Sequence, residues 1–202
     1  LANYFVQLKY DQKELIRTIL ESRLYQLSSE ANATNAADTR NFSRSYRRRL
    51  RAEVLLDAVG DVTGVPTSFS ATWNGARALE TWNFKIGSEF LDAFGRPNSS
   101  SDPPCERNTK GTVVQALHMM HSEILHTKIT HADGRAAKLT AGDQTPAEIA
   151  EEVFLVALNR RPTASESKEI TTYFDKKKND RAGAVQDLLW AVLNTAEFLF
   201  NH

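Results

Sequence analysis

Apolar residues recur at helical spacing along most of the chain. Leu1, Tyr4, Phe5, Val6 and Leu8 crowd the first eight residues as an amphipathic helix does, and no initiator Met precedes them, so residue 1 reads as a boundary inside a longer protein. Asp11 and Glu14 form a capping-box-like start, after which Leu15, Ile16, Ile19, Leu20, Leu24 and Leu27 predict a helix of about four turns. Residues 28–42, rich in Ser, Asn, Ala and Thr, predict an ordered surface loop. Leu50, Val54, Leu55, Ala58, Val59 and Val62 then share one face of a second helix, with Gly64 in place to terminate it.

From Val65 to Lys110 the periodicity fades under Gly75, Gly87, Gly95, Pro97, Pro103 and Pro104, yet Phe69, Trp73, Trp82, Phe84, Phe90, Leu91 and Phe94 predict a packed irregular excursion. Val113, Leu117, Met120 and Ile124 predict a third helix over 112–127. Two capping boxes follow, Thr145 with Pro146 and Glu148, then Thr163 with Glu166. Their helices carry Ile149, Val153, Val156 and Ala157, then Ile170, Tyr173 and Phe174. A last helix over 182–199 is apolar on most of its circumference and should be central to the core. The expected fold is therefore all-α, a bundle of about six helices in one domain over 1–202, with the 65–110 excursion inside it.

Composition narrows function mainly by exclusion. Twenty-five basic residues balance 25 acidic ones, which leaves no extended field for nucleic acid or an anionic membrane. No apolar run approaches the roughly 20 residues that span a bilayer, so no membrane insertion is expected. The single cysteine, Cys105, rules out an internal disulfide and any cysteine cluster for zinc or iron–sulfur. There is no G-x-S-x-G elbow, Walker lysine loop or dinucleotide glycine fingerprint, and no cofactor is expected.

Seven phrases stand in a distinctive order: LIRTILESRLYQLSS (15–29), NFSRSYRRRLRAEVLLDAVGDVTG (41–64), FLDAFGRP (90–97), CERN (105–108), VVQALHMMHSE (113–123), LNRRPTASE (158–166) and LLWAVLNTAEFLFNH (188–202). Together they resemble the C-terminal planctomycete-specific domain of unknown function found in large exported proteins that often carry a c-type cytochrome domain. The resemblance covers essentially the whole chain and implies export, a multidomain parent, and other domains of that parent or an extracellular partner as binding partners. It also implies Cys-Glu-Cys-Glu-Arg after the FG-Pro turn, where this chain has Pro103, Pro104, Cys105, Glu106 and Arg107. A cysteine-pair function is thus not expected, and without Cys-x-x-Cys-His no haem is either. The helical segment that precedes the domain in the family is absent from this sequence, which leaves an apolar surface expected near Leu1 to Leu8.

Four groups of residues invite a site. Arg44, Arg47, Arg48, Arg49 and Arg51, with Arg40 upstream, could bind phosphate, sulfate or carboxylate through guanidinium forks. The preferred reading is structural: a helix extended back to Ser45 puts Arg47, Arg48 and Arg51 on the core arc, paired with Glu53, Asp57, Asp92 or Glu106. His118, His121, His126 and His131 have the wrong spacing for a metal site, since His126 falls about 140° from His121 on a helix. Cys105 beside Arg107 is expected to be buried and inert. Asn194, Glu197 and Asn201 make a polar stripe that either lines a pocket or caps backbone. The candidate ligand-binding set is Arg44, Arg47, Arg48, Arg51, Glu106, Arg107, Trp73 and Trp82, with no catalytic or metal residues.

The preferred function is a non-catalytic structural or interaction module. One alternative is a hydrolase or carbohydrate site in the excursion, with Trp73, Trp82 and Phe84 stacking on sugar and Glu89, Asp92 and Glu106 supplying carboxylates. A second is an anion-binding module that uses the arginine run.

Overall fold

The computed structural model describes residues 1–70, 72–73, 75–81, 86–97 and 112–201, apart from the side chains of Val113 and Val114. The chain divides into two units, Leu1–Arg48 and Arg49–Asn201.

In the smaller unit, α1 (Ala2–Gln7) and α2 (Gln12–Leu20) are joined through Lys9 and Tyr10, both left-handed at φ 54° and 64°. Asp11 caps α2 by accepting the N–H groups of Lys13 and Glu14, and the Phe5 and Tyr10 rings meet edge-on at 5.4 Å. The helix ends at Leu20, short of the predicted four turns. Ser22 gives the reason: its hydroxyl donates to the Ile19 carbonyl at 2.7 Å and accepts the Tyr25 N–H, a side-chain alternative to the helical ladder. The following loop is ordered, as predicted, by its own polar side chains. Asn32 Oδ1 accepts the N–H groups of Thr34 and Asn35, and the Asp38 carboxylate collects those of Arg40, Asn41 and Ser43 together with the Ser43 hydroxyl. Those donors hold the Asp38 carboxyl far below the usual carboxylate range.

A two-stranded ribbon pairs β1 (Arg48–Arg49), at the boundary where the larger unit begins, with β2 (Phe200–Asn201), where it ends. Between them run α3 (Ala52–Thr63), a 3-10 turn (Ala78–Glu80), α4 (Glu89–Ala93), α5 (Val113–His121), α6 (Glu123–Thr130), α7 (Arg135–Ala141), α8 (Pro146–Leu158), α9 (Ala164–Lys176), α10 (Arg181–Leu193) and α11 (Ala196–Leu199). Helix α3 buries Leu55, Leu56, Val59 and Val62 against the 3-10 turn, α4, α6, α7 and α8, and stops at Gly64, whose φ of 71° suits glycine. Helix α10 packs on α6, α7, α8 and α9 through Val185, Leu188, Leu189, Val192 and Leu193. Both predicted capping boxes form, with Glu148 and Glu166 each returning a carboxylate oxygen to its capping threonine N–H at 2.7 Å.

The chain is mainly α as expected, but its helices are more numerous and shorter than six. The predicted third helix breaks at Ser122, which is extended at φ −65° and ψ 127°. That break shifts the register, so Met119, Leu125 and Ile129 are buried while the predicted stripe members Leu117 and Met120 are exposed. Helix α7 was not predicted, and the last helix splits at Asn194–Thr195, where the Thr195 hydroxyl caps α11. Part of the 65–110 excursion is regular, since the 3-10 turn and α4 lie within it. Among the described residues no helix is long and apolar enough to cross a membrane.

Candidate functional site

The arginine run is not helical. Helix α3 starts only at Ala52, with Arg51 at its N-cap, so Arg47, Arg48 and Arg51 do not share a core arc. Two of the four carboxylates expected to pair with them are engaged elsewhere, Asp57 with Arg77 at 3.5 Å and Asp92 with Arg96 at 2.7 Å, and a third, Glu106, lies outside the described residues. Arg44 and Arg47 instead converge on Ser29. Arg44 Nη1 donates to the Ser29 carbonyl at 3.3 Å, and Arg47 Nε donates to its hydroxyl at 3.2 Å. With Glu30, Ala31 and Tyr46 these residues line an open hollow of about 660 Å³ in the smaller unit. Arg48 and Arg51 are exposed. Arg49, not part of the candidate set, directs its Nη2 to the Phe94 carbonyl at 2.9 Å and lies over the Phe94 ring, and burial depresses its pKa.

Trp73 is 59% exposed. Trp82, Phe84, Cys105, Glu106 and Arg107 lie outside the described residues. The histidines separate: His118 sets its ring edge-on to Phe90 and Phe94, His126 is exposed, and His131 Nδ1 accepts the Asp133 N–H. Among the described residues no three His, Cys, Asp or Glu side chains gather as a metal set. The polar stripe near the C-terminus is structural where it can be followed. Asn194 donates to the Trp190 carbonyl at 2.8 Å, and Glu197 binds Arg160.

Arg160 is the hub of that second contact. Its guanidinium meets Glu166 with two bonds of 2.9 Å and Glu197 with two of 2.7 Å, and it lies over the Phe154 ring. These bonds tie the turn after α8 to α9 and α11, and the hydrogen bonds from Arg160 lower the Glu166 carboxyl to about 2. A carboxyl depressed on folding stabilises the fold above its unfolded pKa, near 4.5, and loses that contribution as pH falls toward about 2. Between pH 4.5 and 2 the Glu166→Gln variant is therefore expected to lose less stability than the parent, as urea midpoints at successive pH values would report. Equal acid sensitivity would contradict the assignment.

A different constellation occupies the larger unit. An open cleft of about 820 Å³ is lined by residues 65–68, by Glu89, and by α5 and α6 around the Ser122 break. Lys128 of α6 is only 5% exposed. Its ammonium donates to the Val65 carbonyl at 2.5 Å and forms no ion pair among the described residues. Burial pushes the lysine down to about 8, opposed in part by the negative charge of Asp57. Three more polar atoms on residues lining the same cleft are buried without a hydrogen bond: Thr67 Oγ1, His118 Nε2 and Ser122 Oγ. In the sequence His118 reads as a solvated or hydrogen-bonded histidine in preference to a metal ligand, and Thr67 and Ser122 carry no signal of their own. The legible signal was Lys128 itself, a charge beside Ile129 and three residues after Leu125 on an otherwise apolar arc.

The family model described as PSD1, protein of unknown function (DUF1553), matches residues 1–174. No curated protein and no solved structure matches the chain.

Proposed function

The chain belongs to the PSD1 (DUF1553) family of proteins of unknown function, and from that premise we propose that it is a non-catalytic interaction module that docks a neighbouring domain of a larger parent protein. The observation that carries this reading is α2. Ile16, Ile19 and Leu20 lie at i, i+3 and i+4 and Leu24 follows beyond the helix end; all four are exposed, and no residue of α1 or α2 is buried. An apolar stripe of that spacing is the form in which a helix is received by a groove on a partner. The larger unit uses its arginines differently, as internal clamps. Arg181 gathers the carbonyls of Leu139, Thr140, Gly142 and Gln144, and Arg135 joins the Val62 carbonyl to Glu152. Half-buried arginines engaged in this way brace the larger unit from within, in contrast to the exposed apolar stripe of α2. The ordered phrases of the sequence support a more specific proposal: the parent is a large exported protein of planctomycete type, with a c-type cytochrome domain among the candidate partners.

The test is to mix the purified chain with the parent's remaining domains and follow co-elution by size exclusion. A complex is expected, and Ile16→Ser with Leu20→Ser should weaken it at least about tenfold, since two buried aliphatic anchors contribute roughly 1.5–3 kcal/mol each. Far-UV circular dichroism of the double variant should match the parent. Absence of a complex, or one indifferent to the double variant, would overturn the proposal.

A further inference from the structure

We propose that the cleft between residues 65–68 and the α5–α6 break is a binding site for a small monocarboxylate, seated between Lys128 and the N-terminus of α6. This goes beyond the docking role and involves none of its residues.

The four polar groups have one requirement in common. Lys128 is a buried cation whose only hydrogen bond among the described residues spends one of its three N–H donors on the Val65 carbonyl. A buried charge without a counterion is costly, and an anion beside it removes that cost. Ser122, a lining residue of the cleft, is nine-tenths buried, stands at the N-cap of α6 and makes no cap bond with its side chain, so its buried hydroxyl lacks a hydrogen-bond partner. The first-turn N–H groups of α6 have no partner within the helix, and the helix dipole adds positive potential there. Thr67 Oγ1 and His118 Nε2, on residues that line the two walls, are likewise buried and unbonded. The remaining lining is apolar at Val65, Pro66, Leu117 and Ile124, which suits a short hydrocarbon tail.

The charge of the ligand follows from the other titratable groups around Lys128. Glu89 of α4 and Glu123 of α6 are exposed members of the lining, His121 of α5 joins them, and Asp57 of α3 acts from behind. The exposed carboxylates are screened by solvent, yet they oppose a dianion twice as strongly as a monoanion. Lys128 is the one buried cation among the described lining residues and balances a single negative charge, so a monocarboxylate is favoured over a phosphate dianion. Asp57 is already committed to the Ala78 and Leu79 N–H groups and to Arg77, and so does not serve as the counterion.

The experiment is a titration of the whole chain, labelled with nitrogen-15, by sodium butanoate, sodium acetate, sodium phosphate and glycerol at constant ionic strength. Butanoate is expected to shift the amides of Ser122 to Leu125 and Lys128 with saturation, more tightly than acetate, with phosphate weaker and glycerol inert. Lys128→Met should weaken butanoate at least about tenfold, and Ser122→Ala a few-fold, in line with losing a charge-assisted and a neutral hydrogen bond. The Ser122→Ala arm stands even if Lys128→Met fails to fold. Saturation by glycerol or phosphate as tight as by butanoate, no saturable shift at these amides, or unchanged affinity in the folded variants would each overturn the proposal. None of these outcomes bears on domain docking, which is read separately by co-elution.

Discussion

Phe90→Ala is expected to lower the stability of the chain by about 3–5 kcal/mol, the range for removing a fully buried aromatic ring. Phe90 is 1% exposed, stacks on Phe94 with ring centroids 4.5 Å apart, and receives the His118 ring edge-on at 5.5 Å. It comes from α4, which packs on α3 and α5, so the cavity would open between three elements that cannot all close over it. Urea denaturation should show a lower midpoint with an unchanged slope. Trp73→Ala, in the same excursion but 59% exposed, is the matched control and should stay within about 0.5 kcal/mol. A Phe90 effect as small as the control's would mean that the excursion does not help to close the core.

Asp57→Ala should be nearly as damaging, at about 3 kcal/mol, by a different mechanism. The carboxylate accepts the Ala78 N–H at 2.7 Å and the Leu79 N–H at 3.1 Å, and thereby pins the 3-10 turn to α3. Removing it leaves the buried Ala78 N–H, and the partly buried Leu79 N–H, without an acceptor. Amide hydrogen exchange would check this directly: Ala78 and Leu79 should be protected in the parent and exchange rapidly in the variant. Asp57→Asn keeps one acceptor oxygen and should fall between the two. Equal protection at both amides in Asp57→Ala would contradict the pinning role.

Thr145 and Thr163 announced two helix starts correctly, because a capping box is satisfied within four residues and needs nothing from the rest of the chain. Gly64 announced a helix end for the same reason. The 112–127 stripe misled at its centre. A break at Ser122 costs little locally, and packing against α3, α4 and α10 decides that Met119 and Leu125, not Leu117 and Met120, go inside. The arginine run misled through its flanking helix. Extending α3 back to Ser45 was compatible with propensity, but β1 pairs with β2 from the far end of the chain, and no local signal encodes that pairing.

The carboxylate cleft follows the same division. Lys128 on an apolar arc was visible in the sequence as an anomaly, whereas its meaning depends on Val65, Thr67, His118 and Ser122 being gathered from segments up to 63 residues away. By itself the sequence determined the mainly α class, the caps, the ordered polar loop and the central role of the last long helix, since each rests on periodicity or on contacts within a few residues. Only the tertiary structure decided which face of each helix is buried, which charges are paired, and where unpaired polar atoms meet around a cleft. Those outcomes are set by packing and desolvation between distant segments, which have no signature in local spacing.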